Sequence, residues 1–328
     1  MKILAVDDDP IILDLLRELL SLIGHTNIVT AESAIEALEV IENSTDPIDC
    51  FLFDIQMPVM DGIQLVTNVR SIGRYQHTPI LMITAMSDKH YIDRAFFAGA
   101  TDYVNKPFDI KELSNRINTI EELLIGRRGY TDNLFSATGD SKSSSSVNRP
   151  TFSEPLFVND VDGVIGFTPM QNYLKQLSRL SLFGCSAFAF TLQDAQRLYD
   201  NSTEFDFTCA ITDVSEAISE TLKPNFFLMS HAGGGNFACV SDSHGLLNLE
   251  EIQSNVNDRL TDMDTYFSDG RPMYLTVTLG QPIRLNFKSG NNVSTVLRQA
   301  CINAENTNPS TTITKKEPSG LLGMLGVM

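Results

Sequence analysis

The sequence predicts a two-part protein: a doubly wound α/β unit with a five-stranded parallel sheet, joined to an α+β unit with an antiparallel sheet. Three observations predict it. Short apolar runs alternate with amphipathic stretches through residues 1–125, the rhythm of strand–helix repeats that cover both faces of a sheet. A break rich in serine, with Ser143-Ser144-Ser145-Ser146 at its centre, follows within residues 131–155. Successive serines gain nothing from burial and compete for backbone hydrogen bonds, so that stretch reads as a linker. Beyond it, longer helices and a glycine-rich hairpin replace the alternation.

In the first unit, residues 3–6 form a buried strand and residues 10–23 carry apolar positions at helical spacing. A short strand at 27–30, a helix at 31–41 and a third strand at 50–53 follow, with 63–69 inside the next helix. Residues 79–83, 91–98, 102–104 and 110–124 complete five strand–helix repeats. In the second unit, helices are expected at 170–180, 208–222, 249–260 and 293–304. Strands are expected at 185–191 and 273–279, with 226–229 and 237–240 flanking the turn His231-Ala232-Gly233-Gly234-Gly235-Asn236. The boundaries that follow are 1–128 for the first unit, 129–156 for a flexible linker, 157–308 for the second unit and 309–328 for a tail. The tail closes on Gly320-Leu321-Leu322-Gly323-Met324-Leu325-Gly326-Val327-Met328, which either docks on a neighbour or frays.

Composition narrows the function. The chain has 328 residues, 42% of them hydrophobic and 20% charged, enough for two cores. No run of about 20 apolar residues occurs, so neither a membrane span nor a signal peptide is expected and the reading is cytoplasmic. With 41 acidic against 24 basic residues the net charge is -17, a field that opposes duplex DNA. The five cysteines (50, 185, 209, 239, 301) are scattered and contain no CxxC pair, which points to buried thiols in a reducing compartment.

Polar residues fall at the carboxyl ends of the expected strands, where functional groups belong in a doubly wound sheet. Asp7, Asp8 and Asp9 follow the first strand, Asp54 ends the third, Thr84 ends the fourth and Lys106 follows the fifth. Carboxylates crowded at one sheet edge repel unless a cation sits among them, and hard oxygen donors suit Mg2+. Asp9 stays open between the metal shell and a surface or capping role. Met60, Met82 and Met86 read as packing residues, and His77 and His90 as solvated.

On these residues the first unit resembles the receiver domain of two-component response regulators. The family's acidic pair corresponds to Asp7 and Asp8, its phosphoacceptor to Asp54 in Phe53-Asp54-Ile55-Gln56-Met57-Pro58, its hydroxyl position to Thr84, its lysine to Lys106 and its switch aromatic to Tyr103. The resemblance implies that Asp54 attacks the phosphorus of a phosphohistidine or of a small acyl phosphate. It implies Mg2+ held by Asp8, Asp54 and the Gln56 backbone carbonyl, with Asp7 acting through water. Lys106 and Thr84 would hold phosphoryl oxygens while Tyr103 turns inward. A sensor histidine kinase or phosphotransfer protein is the implied donor. A phosphorylation-enhanced homodimer is expected through 91–98, 102–104 and 110–124.

The second unit resembles the GGDEF domain of diguanylate cyclases. The landmarks are Asp162-Gly163-Val164-Ile165-Gly166-Phe167, Tyr173, the hairpin Gly233-Gly234-Gly235-Asn236-Phe237, the strand ending at Gly280 and the last helix at 297–305. The family's chemistry is missing. Thr191 and Gly235-Asn236 stand where metal carboxylates belong, Gln196 and Glu305 where phosphate-binding lysines belong, and Tyr199 where asparagine reads guanine. Pro224 and Phe227 replace the product-inhibition motif. His231 reads as a cap or surface residue and Cys239 as buried. The expectation is a phosphorelay response regulator that is no enzyme, with a ferredoxin-like, catalytically inactive output unit that binds an unknown protein partner. The alternatives are a divergent cyclase, a nucleotide-binding sensor with residual GTP or cyclic di-GMP binding, and a transcription factor, which the acidic charge disfavours.

Overall fold

The computed structural model describes residues 1–85, 88–135, 151–177, 181–182, 184–223, 225–242, 248–285 and 293–307, with the backbone alone at 125–135 and 293–294. Met86, Pro224, the serine tract and the tail 309–328 lie outside the described residues.

In the first unit, β1 (Ile3–Val6), β3 (Cys50–Asp54) and β4 (Ile80–Thr84) are buried along their whole length. Continuous burial is the signature of central strands covered on both faces. With β2 (Ile28–Ala31) and β5 (Asp102–Asn105) they form a parallel sheet in the order β2-β1-β3-β4-β5. Helices α1 (Pro10–Leu22) and α5 (Ile110–Phe135) cover one face through Leu13, Leu16, Leu20, Leu113, Ile117 and Ile120. Helices α2 (Ala34–Asn43), α3 (Gly62–Arg70) and α4 (Lys89–Phe97) cover the other.

Helix starts follow capping chemistry. Asp9 accepts from the Ile11 N–H at 2.9 Å with Pro10 behind it, so Asp9 is a cap. Helix α2 begins three residues later than the periodicity predicts because Ser33 accepts from the Glu36 N–H at 3.2 Å. Asp61 and Gln64 make a reciprocal capping box at the start of α3. The end of α5 corrects the expected linker start: the helix runs through 129–135, since a single Gly129 lowers helix propensity by only about 1 kcal/mol.

In the second unit, β6 (Cys185–Leu192), β7 (Phe227–Gly233), β8 (Asn236–Asp242) and β9 (Val277–Leu279) form an antiparallel sheet in the order β9-β6-β8-β7. The short β10 (Ile283–Arg284) shares the β9 side of β6. Helices α8 (Glu204–Leu222) and α9 (Leu249–Asp262) make the two crossovers, giving a β-α-β-β-α-β arrangement as the sequence predicts. Helices α6 (Phe167–Gln176), α7 (Ala195–Asp200) and α10 (Val293–Glu305) complete the unit. Strand β9 is shorter than the 273–279 alternation suggests. Met273 turns back on Thr265 instead, through paired hydrogen bonds of 2.8 and 2.9 Å.

The expected linker is also ordered at its far end. The Leu156 N–H donates to His231 Nδ1 at 2.8 Å, and the Gly234 N–H donates to the Phe152 carbonyl at 2.8 Å. Helix α6 packs on α4 and β5, and one apolar cluster containing Phe96, Tyr103, Met170 and Tyr173 runs across that junction.

Candidate functional site

Three strand ends of the first sheet meet at one point. Lys106, just past β5, donates to Asp7 Oδ2 at 2.6 Å and to Asp54 Oδ1 at 2.8 Å. Both carboxylates are nearly fully buried, and the ammonium is partly exposed at the rim. The register explains the meeting, since Val6 pairs with Phe53 and Asp54 with Ile83, so the ends of β1, β3 and β4 lie abreast. Burial pushes the Asp54 carboxyl up, opposed by the hydrogen bond and charge of Lys106 and by the Gln56 backbone N–H. Burial lowers Lys106, but Asp54 and Asp7 outweigh it and hold the amine charged.

Gly62 permits this geometry. A Cβ there would lie 1.9 Å from the Asp54 carbonyl oxygen, and the Gly62 N–H closes the loop on the Ile55 carbonyl at 2.9 Å. Thr84 is buried at the end of β4. Tyr103 is wholly buried, and its hydroxyl has no hydrogen-bond partner among the described residues. The phenol is raised by burial first and by the Asp54 charge second.

The structure therefore brings together Asp7, Asp54 and Lys106, with Thr84 on the neighbouring strand end. It leaves Asp8 exposed, as it does the side chain of Gln56. Strand β1 ends at Val6, and Asp8 lies at the bend beyond it. Among the described residues, no three Asp, Glu, His or Cys side chains are gathered tightly enough to hold a metal ion. The donor chemistry still fits a hard cation. Asp7 and Asp54 share one positive charge at the rim, and two hard oxygen donors of this kind suit a divalent ion.

Comparison with known proteins places the first unit. Residues 3–118 match the response regulator receiver domain. The chain is 33% identical over 120 residues to chemotaxis protein CheY1 of Helicobacter pylori, covering 37% of this chain and 96% of that protein. It is 36% identical over 126 residues to chemotaxis protein CheY of Pseudomonas aeruginosa, covering 38% of this chain and 100% of that one. A solved structure of Vibrio cholerae CheY4 aligns with 32% identity over 36% of this chain and 97% of its own, with a TM-score of 0.34. Through its first unit the chain belongs to the response regulator receiver family and to two-component signalling. Receivers take phosphoryl groups from histidine kinases or phosphotransfer proteins and generally bind Mg2+ at the phosphorylation site.

In the second unit, three of the residues singled out from the sequence, Thr191, Asn236 and Glu305, are joined by hydrogen bonds. Thr191 Oγ1 donates to Asn236 Oδ1 at 2.6 Å, and Asn236 Nδ2 donates to Glu305 Oε1 at 2.7 Å. Gln196 donates to Asp200 within α7. Phe152 packs its ring on Tyr199 and Phe207, with centroids 5.5 and 6.3 Å apart. Gly234 and Gly235 form the two-residue turn with φ of 63° and 74°, and a Cβ at Gly233 would meet the Ser153 carbonyl at 2.1 Å. His231 is buried rather than capping or exposed, and desolvation pushes it down to about 4. Sequence reasoning missed the Phe152 strap and the seating of α6. Phe152 lies in what reads as linker, and Asn172 and Gln176 look like ordinary helix polar residues.

Proposed function

We propose that this chain is a cytoplasmic response regulator that accepts a phosphoryl group on Asp54 and passes the state to a non-catalytic, GGDEF-like output unit. The observation that carries the reading is the Lys106 bridge between Asp7 and Asp54. An Asp54 oxygen attacks the phosphorus of the donor. The P–N bond of phosphohistidine, or the P–O bond of an acyl phosphate, breaks as the new Asp54 O–P bond forms. Lys106 lies within reach of the incoming phosphoryl oxygens, and Thr84 supplies a hydroxyl beside it. Mg2+, held by Asp7, Asp8, Asp54 and the Gln56 carbonyl, would neutralise charge and orient the phosphoryl group.

The absence of cyclase chemistry is supported by three features of the second unit. The Thr191 hydroxyl and the Asn236 amide are engaged in one hydrogen-bonded chain with Glu305, Phe152 packs on Tyr199, and one N–H of the glycine turn is already bonded. The output is then recognition of a protein partner, with no duplex DNA involved. The test is intact mass after incubation with acetyl phosphate and Mg2+. One phosphoryl group is expected on the wild type and none on Asp54→Ala; equal labelling of the variant overturns the assignment. Incubation with GTP should give no cyclic di-GMP, and product above a protein-free blank would make the second unit an enzyme.

A further inference from the structure

Between α9 and β9 the chain folds back on itself, and the alternation of its side chains leaves one face bare. The Met273 N–H donates to the Thr265 carbonyl at 2.8 Å and the Phe267 N–H to the Arg271 carbonyl at 2.9 Å. Tyr266 and Pro272 therefore stand opposite each other in a short antiparallel pair. Side chains alternate across such a pair. Met273 and Leu275 are buried on the inner side, and Thr265 and Phe267 are half-buried there. Tyr266, Pro272 and Tyr274 share the outer side, with Tyr266 58% and Tyr274 88% exposed. The inner row supplies the packing, so the fold does not call for two tyrosines on the outer one.

The hairpin is held in place by the start of α8. Asp206 accepts from the Ser268 N–H at 2.7 Å and from the Ser268 hydroxyl at 3.1 Å. Phe205, the residue before that clamp, is 70% exposed and adds a third aromatic ring near the turn. Large exposed apolar groups gathered in one place mark a contact surface, whereas single ones need no explanation.

Charge says what such a surface can meet. Residues 204–206 and 258–274 hold six acids, Glu204, Asp206, Asp258, Asp262, Asp264 and Asp269, against Arg259 and Arg271. Arg271 is already engaged, with Nε on Asp269 at 2.8 Å and its guanidinium 5.0 Å from the Phe267 ring centre. The last turn of α9, with Asp262, adds the negative end of a helix dipole. This face repels nucleic acid and anionic lipid, and in a chain of net charge -17 it repels a second copy of itself. It attracts a guanidinium or ammonium carried on an apolar stem, which can lie on a tyrosine ring beside a carboxylate. The inner side of the hairpin makes that very contact within the chain, as Asp269, Arg271 and Phe267. The outer side offers rings and carboxylates to a cation from another molecule.

We infer that the Tyr266–Pro272–Tyr274 face is where the second unit meets its partner, and that the partner presents a protein segment of arginine or lysine interspersed with apolar side chains. The inference rests on the reading of the second unit as a protein-binding output, and it supplies the place and the chemistry of that binding. Basic side chains lie across the two tyrosines with Asp262 and Asp264 at one end, and the apolar ones cover Pro272 and the ring edges.

The test uses the full chain and two short fluorescein-labelled, amidated peptides, one alternating arginine with leucine and one with glutamate in place of arginine. Anisotropy is read at about 0.1 M ionic strength, where charges more than about 10 Å apart are largely screened. The arginine peptide is expected to bind and the glutamate peptide to stay free. Tyr266→Ala/Tyr274→Ala should weaken binding about tenfold, since an exposed cation–π contact is worth about two- to fivefold. Tyr266→Phe/Tyr274→Phe keeps both rings and should bind as the wild type does. Asp264→Asn should weaken binding by up to about fivefold, the range of an exposed ion pair, while Glu250→Gln at the far end of α9 leaves it unchanged. Circular dichroism should be the same for all variants, because neither ring belongs to the core. Binding of both peptides or of neither overturns the partner chemistry. Undiminished binding by Tyr266→Ala/Tyr274→Ala overturns the assignment of this face and leaves a protein-binding second unit in place. Formation of cyclic di-GMP from GTP would instead count against the output reading itself, whatever the peptides do.

Discussion

Two strand-end sites of this molecule are built from similar materials and arrive at different ends. In the receiver, Asp7 and Asp54 converge on Lys106, whose single positive charge serves two buried carboxylates. In the second unit, Thr191, Asn236 and Glu305 form a chain in which each donor already has its acceptor. The first arrangement keeps a partly exposed ammonium that can follow negative charge brought by a substrate. The second ties its hydroxyl and amide to each other, leaves the carboxylate of Glu305 at the surface, and lies near a turn strapped by residues 152–153. Competence at a strand end thus depends on whether the partner of its charged groups can be exchanged, more than on how polar the place is.

Removing the shared cation should have the largest effect. Lys106→Met leaves two buried carboxylates facing each other and is expected to destabilise the receiver by about 3–5 kcal/mol, the usual range when one partner of a buried pair is deleted. The chain has no Trp, so urea unfolding is best followed by circular dichroism. Adding Asp54→Asn should recover a large part of the loss, as expected for directly coupled sites. An additive double variant would mean that the charges are screened independently.

The corresponding burial in the second unit involves one neutral histidine. His231 Nδ1 accepts from the Leu156 N–H, the ring lies against Phe237, and Nε2 has no partner among the described residues. Its folded value of about 4 lies below the ordinary 6.5, so the unfolded chain takes up the proton first. The stabilising contribution is full above pH 6.5 and is lost as the pH falls towards 4, by about 3 kcal/mol for a shift of this size. His231→Asn keeps an acceptor for Leu156 and does not titrate. Amide exchange in β7 and β8 should accelerate on acidification in the wild type more than in the variant, and equal acceleration would place the acid sensitivity elsewhere.

Much of the receiver was legible because its signals are local. Apolar runs mark buried strands, and acids or hydroxyls at their ends mark the site, so Asp7, Asp54, Thr84 and Lys106 could be chosen before any coordinates. The side taken by each acid was not legible, because β1 ends at Val6 and both acids lie in the turn beyond it, outside the strand's alternation. In the second unit the β-α-β-β-α-β order could be read from element spacing, yet the two-residue β10 and the 265–273 turn could not. The contacts that matter most between units were hidden altogether. Asn172, Gln176 and Phe152 are ordinary residues whose meaning comes from partners 71, 73 and 55 positions away, by the numbering of Thr101, Tyr103 and Phe207.

The smallest expected effect separates the two strand ends most sharply. Thr191→Ala removes one donor from Asn236 while Asn236 still donates to Glu305, so one neutral hydrogen bond is lost at a half-buried position. The expected cost is about 1 kcal/mol. Adding Mg2+ should leave that deficit unchanged, because the Thr191–Asn236–Glu305 chain contains a single carboxylate. The Lys106→Met deficit should shrink when Mg2+ is added, because Asp7 and Asp54 are then two hard-oxygen ligands without a cation. Thermal unfolding of both variants with and without millimolar Mg2+ makes the comparison direct. Rescue of Thr191→Ala by the metal would show that the second strand end binds a cation after all, and would reopen the case for nucleotide chemistry in that unit.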